Sequence, residues 1–151
     1  MQLRAIVIDD DEACRLLLVQ MLKRRGYEVF SLPSPEACPV FKDSECTCPQ
    51  EAACGDFLLT DNQMPGITGL EFVARQVQAG CKGDVSNKAV LSGTWSQEEL
   101  WQAQQLGCKV FDKPYRTGEI EAWLDAREKL IPKDRRLLDA ETFTVVGRDK
   151  S

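Results

Sequence analysis

Three short apolar runs, each followed at once by a charged group, constrain the fold of this chain more than any other feature. Asp9 and Asp10 follow Ile6–Ile8, Asp61 follows Phe57–Thr60, and Lys113 follows Val110–Asp112. Short apolar runs separated by helical patterns predict buried parallel strands. In a parallel sheet all carboxyl ends point the same way, so the charged groups should meet in one crevice. Such a crevice would suit a divalent cation and a phosphoryl group.

The rest of the chain predicts five strands that alternate with helices. The strands are expected at Ala5–Ile8, Tyr27–Ser31, Phe57–Thr60, Ala89–Leu91 and Lys109–Phe111. Two helices are expected over Glu12–Arg25 and Leu70–Ala79, and in the latter Val77 is expected to face inward. A third is expected from a capping box at Ser96–Glu99 to Gly107, and a fourth from a cap at Thr117 to just before Pro132. The pattern predicts an α/β fold, a doubly wound five-stranded parallel sheet with helices on both faces.

Length and composition favour one compact domain with a short extension. The chain has 151 residues, of which 43% are apolar and 28% charged. Residues 1–131 are expected to form the domain. The C-terminal tail, residues 132–151, is too short for a second one, so no output domain is expected.

Charge and residue usage exclude several classes of function. A net charge of −5 argues against a nucleic-acid binder, which normally has a basic face. There is no apolar run of 18 residues and no signal peptide, so we expect no membrane insertion and a cytoplasmic location. The complete lack of histidine excludes a histidine kinase or a phosphohistidine carrier.

Residues 32–56 form an irregular insert that is rich in proline and cysteine. Its cysteines are Cys38, Cys46, Cys48 and Cys54, spaced C-x7-C-x-C-x5-C. Four thiolates can hold Zn²⁺ or an iron–sulfur cluster, and a metal would order a segment with little core of its own. No C-x-x-C pair is present, so disulfides and free thiols remain alternatives.

Four motifs together resemble the receiver domain of bacterial two-component response regulators. They are V-I-D-D-D at 7–11, L-L-T-D-N-Q-M-P-G at 58–66, V-L-S-G at 90–93 and D-K-P at 112–114. The similarity covers residues 3–127 and implies a flavodoxin-like sheet with strand order 2-1-3-4-5. It further implies a signalling module rather than an enzyme. The partners would be a sensor histidine kinase or phosphotransfer protein and a downstream protein of unknown identity.

The acidic residues are candidates for metal binding and phosphorylation. Mg²⁺ prefers oxygen ligands, which Asp9, Asp10 and Asp61 can supply. The resemblance adds the backbone carbonyl of Gln63 and makes Asp10 a direct ligand, with Asp9 acting more through water. A carboxylate can accept a phosphoryl group as an acyl phosphate, and Asp61 is the candidate acceptor.

Two further residues are candidates for contacting the phosphoryl group. Lys113 can approach its oxygens as a point charge, and Ser92 can donate its hydroxyl. The resemblance implies a cis peptide bond before Pro114, and movement of the loops that carry Ser92 and Lys113. The chain departs from the family at Val110, where an aromatic switch residue is usual. Valine cannot swing a large ring in and out.

Two other functions fit parts of the sequence. In a metal- or redox-sensing binding module, the cysteines of the insert would be the sensor and the acidic pocket would be vestigial. A phosphatase of the haloacid type also uses an aspartate nucleophile, but it requires a second aspartate two residues later. That position is occupied by Gln63.

Overall fold

A computed structural model of the chain describes residues 2–37 and 53–137. Its sheet has five parallel strands in the order β2-β1-β3-β4-β5. These strands are β1 (Arg4–Ile8), β2 (Glu28–Leu32), β3 (Phe57–Asp61), β4 (Lys88–Ser92) and β5 (Lys109–Asp112). The predicted fold class and strand order are therefore confirmed.

Four α-helices lie within the described residues. They are α1 (Glu12–Arg24), α2 (Gly69–Gln78), α3 (Gln97–Leu106) and α4 (Thr117–Glu128). Between β2 and β3 the described part contains a single 3₁₀ turn at Pro35–Ala37. Most of the proposed cysteine insert, residues 38–52, lies outside the described residues.

The core divides into two layers because successive strand residues point to opposite faces of the sheet. Ala5 and Val7 pack with apolar residues of α1 and α4 on one face. Ile6 and Ile8 pack with residues of α2 and α3 on the other. Since β1 is buried along its whole length, it can hold polar groups at its carboxyl end in a fixed position.

Helix caps follow the predicted chemistry at some ends and depart from it at others. The capping box of Ser96 and Glu99 is present at the start of α3. A second capping box, from Thr68 and Glu71, starts α2. The predicted cap at Thr117 is wrong: Thr117 is the first residue of α4, and the cap position is Arg116, without a side-chain hydrogen bond.

The inward face of α2 differs from the prediction. Val77 is 44% exposed, whereas Phe72 and Gln76 are buried. Gln76 turns inward because its Oε1 accepts a 2.7 Å hydrogen bond from the buried Lys88 Nζ. A buried ammonium requires such an acceptor, so a polar contact fixes the rotation of the helix.

The chain after β3 is folded tightly against the strand end. Gln63–Met64 and Ile67–Thr68 pair as a short antiparallel hairpin, and Gly66 at its turn has φ +84°. At Gly69 an added Cβ would lie 2.3 Å from the carbonyl oxygen of Asp61. Only glycine permits this approach, which holds the start of α2 beneath the end of β3.

The first residues of the C-terminal tail pack on the amino-terminal edge of the sheet. Arg135 donates from Nε to Asp56 Oδ1 at 2.8 Å and from Nη2 to Asp56 Oδ2 at 2.9 Å. A parallel bridge joins Ala53 to Leu137. The chain beyond α4 is thus attached to the segment that leads into β3. Among residues 2–37 and 53–137, no helix combines the length and apolar character needed to cross a membrane.

Candidate functional site

The carboxyl ends of β1, β3 and β5 bring Asp9, Asp61 and Lys113 into direct contact. Lys113 Nζ donates to Asp9 Oδ2 at 3.1 Å and to Asp61 Oδ1 at 3.0 Å. The Asp9 and Asp61 side chains are 2% and 5% exposed, and that of Lys113 is 19% exposed. The predicted convergence of these three residues is therefore present as one nearly buried cluster.

Asp10 completes a group of three carboxylates at the mouth of the cluster. Single carboxylate oxygens of Asp9, Asp10 and Asp61 all lie within 4.8 Å of one another, and Asp10 is exposed. Asp9 is fixed by two neighbours, because its Oδ1 accepts the Asp11 N–H at 2.9 Å and its carbonyl accepts from Arg15 at 2.7 Å. Oxygen ligands at this spacing fit a hard divalent cation.

The electrostatics of the cluster favour an added cation. Burial, opposed by the hydrogen bond from Lys113, raises the pKa of Asp61, and the charge of Asp9 adds to the rise. For Lys113, burial lowers the pKa, but the contacts to Asp61 and Asp9 outweigh it and raise the pKa to about 12. The lysine is therefore charged at neutral pH. One ammonium does not balance three carboxylates, and a divalent cation would relieve their repulsion.

Ser92 lies at the same edge of the sheet, but its hydroxyl is engaged elsewhere. The side chain is fully buried, and its Oγ donates to the Thr94 carbonyl at 3.1 Å and accepts the Thr94 N–H at 3.2 Å. Its own carbonyl accepts the Lys113 N–H at 2.8 Å. The ends of β4 and β5 are thus joined by the backbone, and the Ser92 side chain is bonded within its own loop.

Gln63 contacts two parts of the site. Its backbone N–H interacts with the carboxylate of Asp61 and lowers the pKa of Asp61, although by less than burial raises it. Its side chain donates from Nε2 to Thr94 Oγ1 at 3.0 Å, which links the loop after β3 to the loop after β4. The role of the Gln63 carbonyl as a metal ligand stays a prediction.

Two residues that sequence reasoning did not place at the site tie it to neighbouring elements, Asn62 to α3 and Trp95 to β5. Asn62 is 2% exposed and donates from Nδ2 to Glu99 Oε2 at 2.9 Å. Trp95 donates from Nε1 to the Phe111 carbonyl at 3.1 Å. Asn62 follows the proposed acceptor directly and could have been suspected from that position. The bond from Trp95 depends on how the loop folds and has no local signal.

The remaining expectations are met in part. The peptide bond between Lys113 and Pro114 is cis, as the resemblance implies. Cys54 is half-buried. Cys38, Cys46 and Cys48 lie outside the described residues, so the predicted zinc or iron–sulfur site is not tested.

The sheet order and the acidic crevice at its carboxyl edge define a doubly wound α/β domain with a polar site at the strand ends. The fold is that of the receiver domains of response regulators, in agreement with the resemblance carried by the motifs. No protein-family model and no curated protein sequence matches the chain at a significant level.

Three solved structures illustrate the likeness of fold. A response regulator receiver protein from Pseudomonas putida is 21% identical, with a TM-score of 0.66 over 83% of this chain and 98% of that one. A CheY-like receiver domain protein from Methanospirillum hungatei JF-1 is 24% identical, with a TM-score of 0.60 over 87% and 100%. The signal receiver domain of a modulated diguanylate cyclase from Desulfovibrio desulfuricans G20 is 17% identical, with a TM-score of 0.63 over 86% and 98%.

Proposed function

We propose that this protein is a phosphorylation-dependent signalling receiver whose phosphoacceptor is Asp61. The observation that carries the proposal is the contact of Lys113 with both Asp9 and Asp61 at the carboxyl edge of a receiver fold. This contact supports the proposal because it brings two carboxylates and a charged ammonium around one point, with a third carboxylate beside them. Phosphoryl transfer requires these groups, because the protein contributes mainly position and charge.

The carboxylates of Asp9, Asp10 and Asp61, with the Gln63 carbonyl, would hold Mg²⁺. When bound, the ion would neutralise charge on the phosphoryl oxygens and so lower the repulsion between donor and acceptor. The donor set supports this assignment, because three carboxylate oxygens lie within 4.8 Å of one another. Asp9 is bonded to Lys113 and to the Asp11 N–H, which supports direct coordination by exposed Asp10 and water-mediated contact through Asp9.

The reaction is a transfer from a phosphohistidine to a carboxylate. An oxygen of Asp61 forms a bond to phosphorus as the bond between phosphorus and the imidazole nitrogen of the donor breaks. Lys113, charged in this environment, stabilises negative charge on the transferred group. Ser92 can donate to a second phosphoryl oxygen after it turns away from Thr94. The donor is a sensor histidine kinase or phosphotransfer protein, and we place the exchange in the cytoplasm.

Phosphorylation would then change the contacts of the protein with a downstream partner. Ser92 ends β4, Lys113 directly follows β5, and a backbone hydrogen bond joins the two residues. A phosphoryl group that attracts both would therefore displace the two loops together. Such a displacement biases a two-state surface rather than creating a new fold.

The direct test is the intact mass of the full chain after incubation with Mg²⁺ and a small donor such as acetyl phosphate or phosphoramidate. One phosphoryl group is expected on the wild type and none on Asp61→Asn. Asp112→Asn, a change at an exposed aspartate next to Lys113, is the matched control and should label like the wild type. Undiminished labelling of Asp61→Asn would refute the assignment of the acceptor.

A further inference from the structure

The hydroxyl of Ser92 can serve only one acceptor at a time. A serine hydroxyl carries a single proton, and here that proton is donated to the Thr94 carbonyl at 3.1 Å. The same oxygen accepts the Thr94 N–H at 3.2 Å, so the pair closes the loop after β4. Donation to any group on Asp61 therefore requires that the bond to Thr94 be given up.

The residue that follows Thr94 spans the gap between this loop and the next strand. The indole N–H of Trp95 donates to the Phe111 carbonyl in β5 at 3.1 Å. The ring is half-buried and packs, as Val110 also does, against the apolar cluster that contains residues of α2 and α3. An indole has one donor and no acceptor, so this single bond fixes how the ring lies against the strand.

We propose that Trp95 is a positioning residue that couples the hydroxyl of Ser92 to strand β5, a role that rests on the proposed phosphorylation of Asp61. When Ser92 turns its proton to a phosphoryl oxygen, the Thr94 carbonyl loses the hydrogen bond from Ser92 and the loop shifts. The indole then leaves the Phe111 carbonyl. The large side chain that reports the state of Ser92 thus belongs to the loop itself, while β5 carries Val110 three residues before Lys113.

This coupling reaches α3 through its first residues. Ser96, directly after Trp95, is the cap of α3, and Glu99 of that cap also accepts from Asn62 beside the acceptor. The start of α3 is held by two contacts, from Trp95 to the Phe111 carbonyl and from Asn62 to Glu99. If Trp95 were released, only the contact from Asn62 would remain. The helix should then change its position relative to β5, which gives the site a route to the surface.

The test is the exchange rate of indole N–H protons, measured by NMR on the ¹⁵N-labelled full chain. The chain has three tryptophans, and the signal of Trp95 is assigned by its loss in Trp95→Phe. After phosphorylation, verified by intact mass, the Trp95 indole should exchange at least about five-fold faster, the factor expected from one lost neutral hydrogen bond. Trp123, in the other apolar cluster, should keep its rate and serves as the internal control. A phosphorylated protein with an unchanged Trp95 rate would overturn the proposal.

A second arm tests the coupling without a phosphodonor. Ser92→Ala removes both bonds to Thr94 and should accelerate exchange at Trp95 by a similar factor. Ser86→Ala, at a half-buried serine before β4, is the matched control and should not change the exchange rate at Trp95. If no phosphoryl group is added to the wild type, the proposed function fails. The exchange rate measured on Ser92→Ala would still show whether Ser92 and Trp95 are coupled. A folded Ser92→Ala protein with wild-type exchange at Trp95 would show that the indole is held independently of Ser92.

Discussion

The contact between Arg135 and Asp56 predicts that residues beyond α4 contribute strongly to stability. Asp56 is nearly buried, with a side chain 2% exposed, and Arg135 binds both of its oxygens at 2.8 and 2.9 Å. Asp56 Oδ2 also accepts the Arg4 N–H at 2.9 Å. Arg135→Ala would leave a buried carboxylate with this backbone donor as its main remaining contact.

The magnitude follows from the geometry. Removal of one partner of a buried ion pair costs about 3–5 kcal/mol. Here the loss should be smaller, because Arg135 is 21% exposed and water can reach the vacated space, while the Arg4 N–H still bonds to Asp56. We expect a decrease of about 2–4 kcal/mol in the free energy of unfolding, which for a chain of this size lowers Tm by roughly 5–12 °C.

Urea denaturation followed by circular dichroism measures this change. Arg136→Ala is the matched control, because the neighbouring arginine is exposed and its backbone bond to Ala53 survives the substitution. Its free energy of unfolding should stay within about 0.5 kcal/mol of the wild type. If Arg135→Ala were equally mild, the pair would be behaving as an exposed salt bridge. The claim that the tail is attached to the sheet would then be wrong.

Three further predictions concern the acidic crevice. Lys113→Met should destabilise the metal-free protein by about 3 kcal/mol in urea, because Asp9 and Asp61 lose their shared cation; a loss below about 1 kcal/mol would contradict this. Because the pKa of Asp61 is raised in the folded state, stability without metal should fall as pH rises from the ordinary carboxyl range through that raised value. Asp61→Asn should remove the part of this fall in stability that the titration of Asp61 causes. If the stability–pH curves of the variant and the wild type were parallel, the raised pKa of Asp61 would be contradicted. Asp10→Ala should weaken Mg²⁺ binding at least ~10-fold by calorimetric titration, and an unchanged affinity would exclude direct coordination by Asp10.

The site could be predicted because its geometry follows from strand direction. Once three apolar runs are taken as parallel strands, the residues after them must meet at one edge, whatever the details of the helices. This is why Asp9, Asp61 and Lys113, far apart in sequence, were correctly expected to converge. The Thr68–Glu71 capping box is also local, and its T-x-x-E spacing could have been recognised from sequence.

The contacts that sequence reasoning missed depend on tertiary placement. Arg135 and Asp56 are 79 residues apart, and no local pattern pairs them. The inward rotation of Gln76 depends on the buried Lys88, which lies on a different element. The inward position predicted for Val77 was wrong for the same reason: apolar spacing sets the side of a helix only when no buried polar group competes for it.

In the proposed mechanism, the two groups expected to bind the phosphoryl oxygens are both already bonded in the structure. Lys113 would have to shift from the Asp61 carboxylate toward the group attached to it, and Ser92 would have to leave Thr94. Since the Lys113 N–H is bonded to the Ser92 carbonyl, neither change is independent of the other. Trp95 also joins the loop after β4 to β5, through the Phe111 carbonyl. The response should therefore be concerted, and a substitution at either Ser92 or Trp95 should uncouple α3 from Asp61 without preventing its phosphorylation.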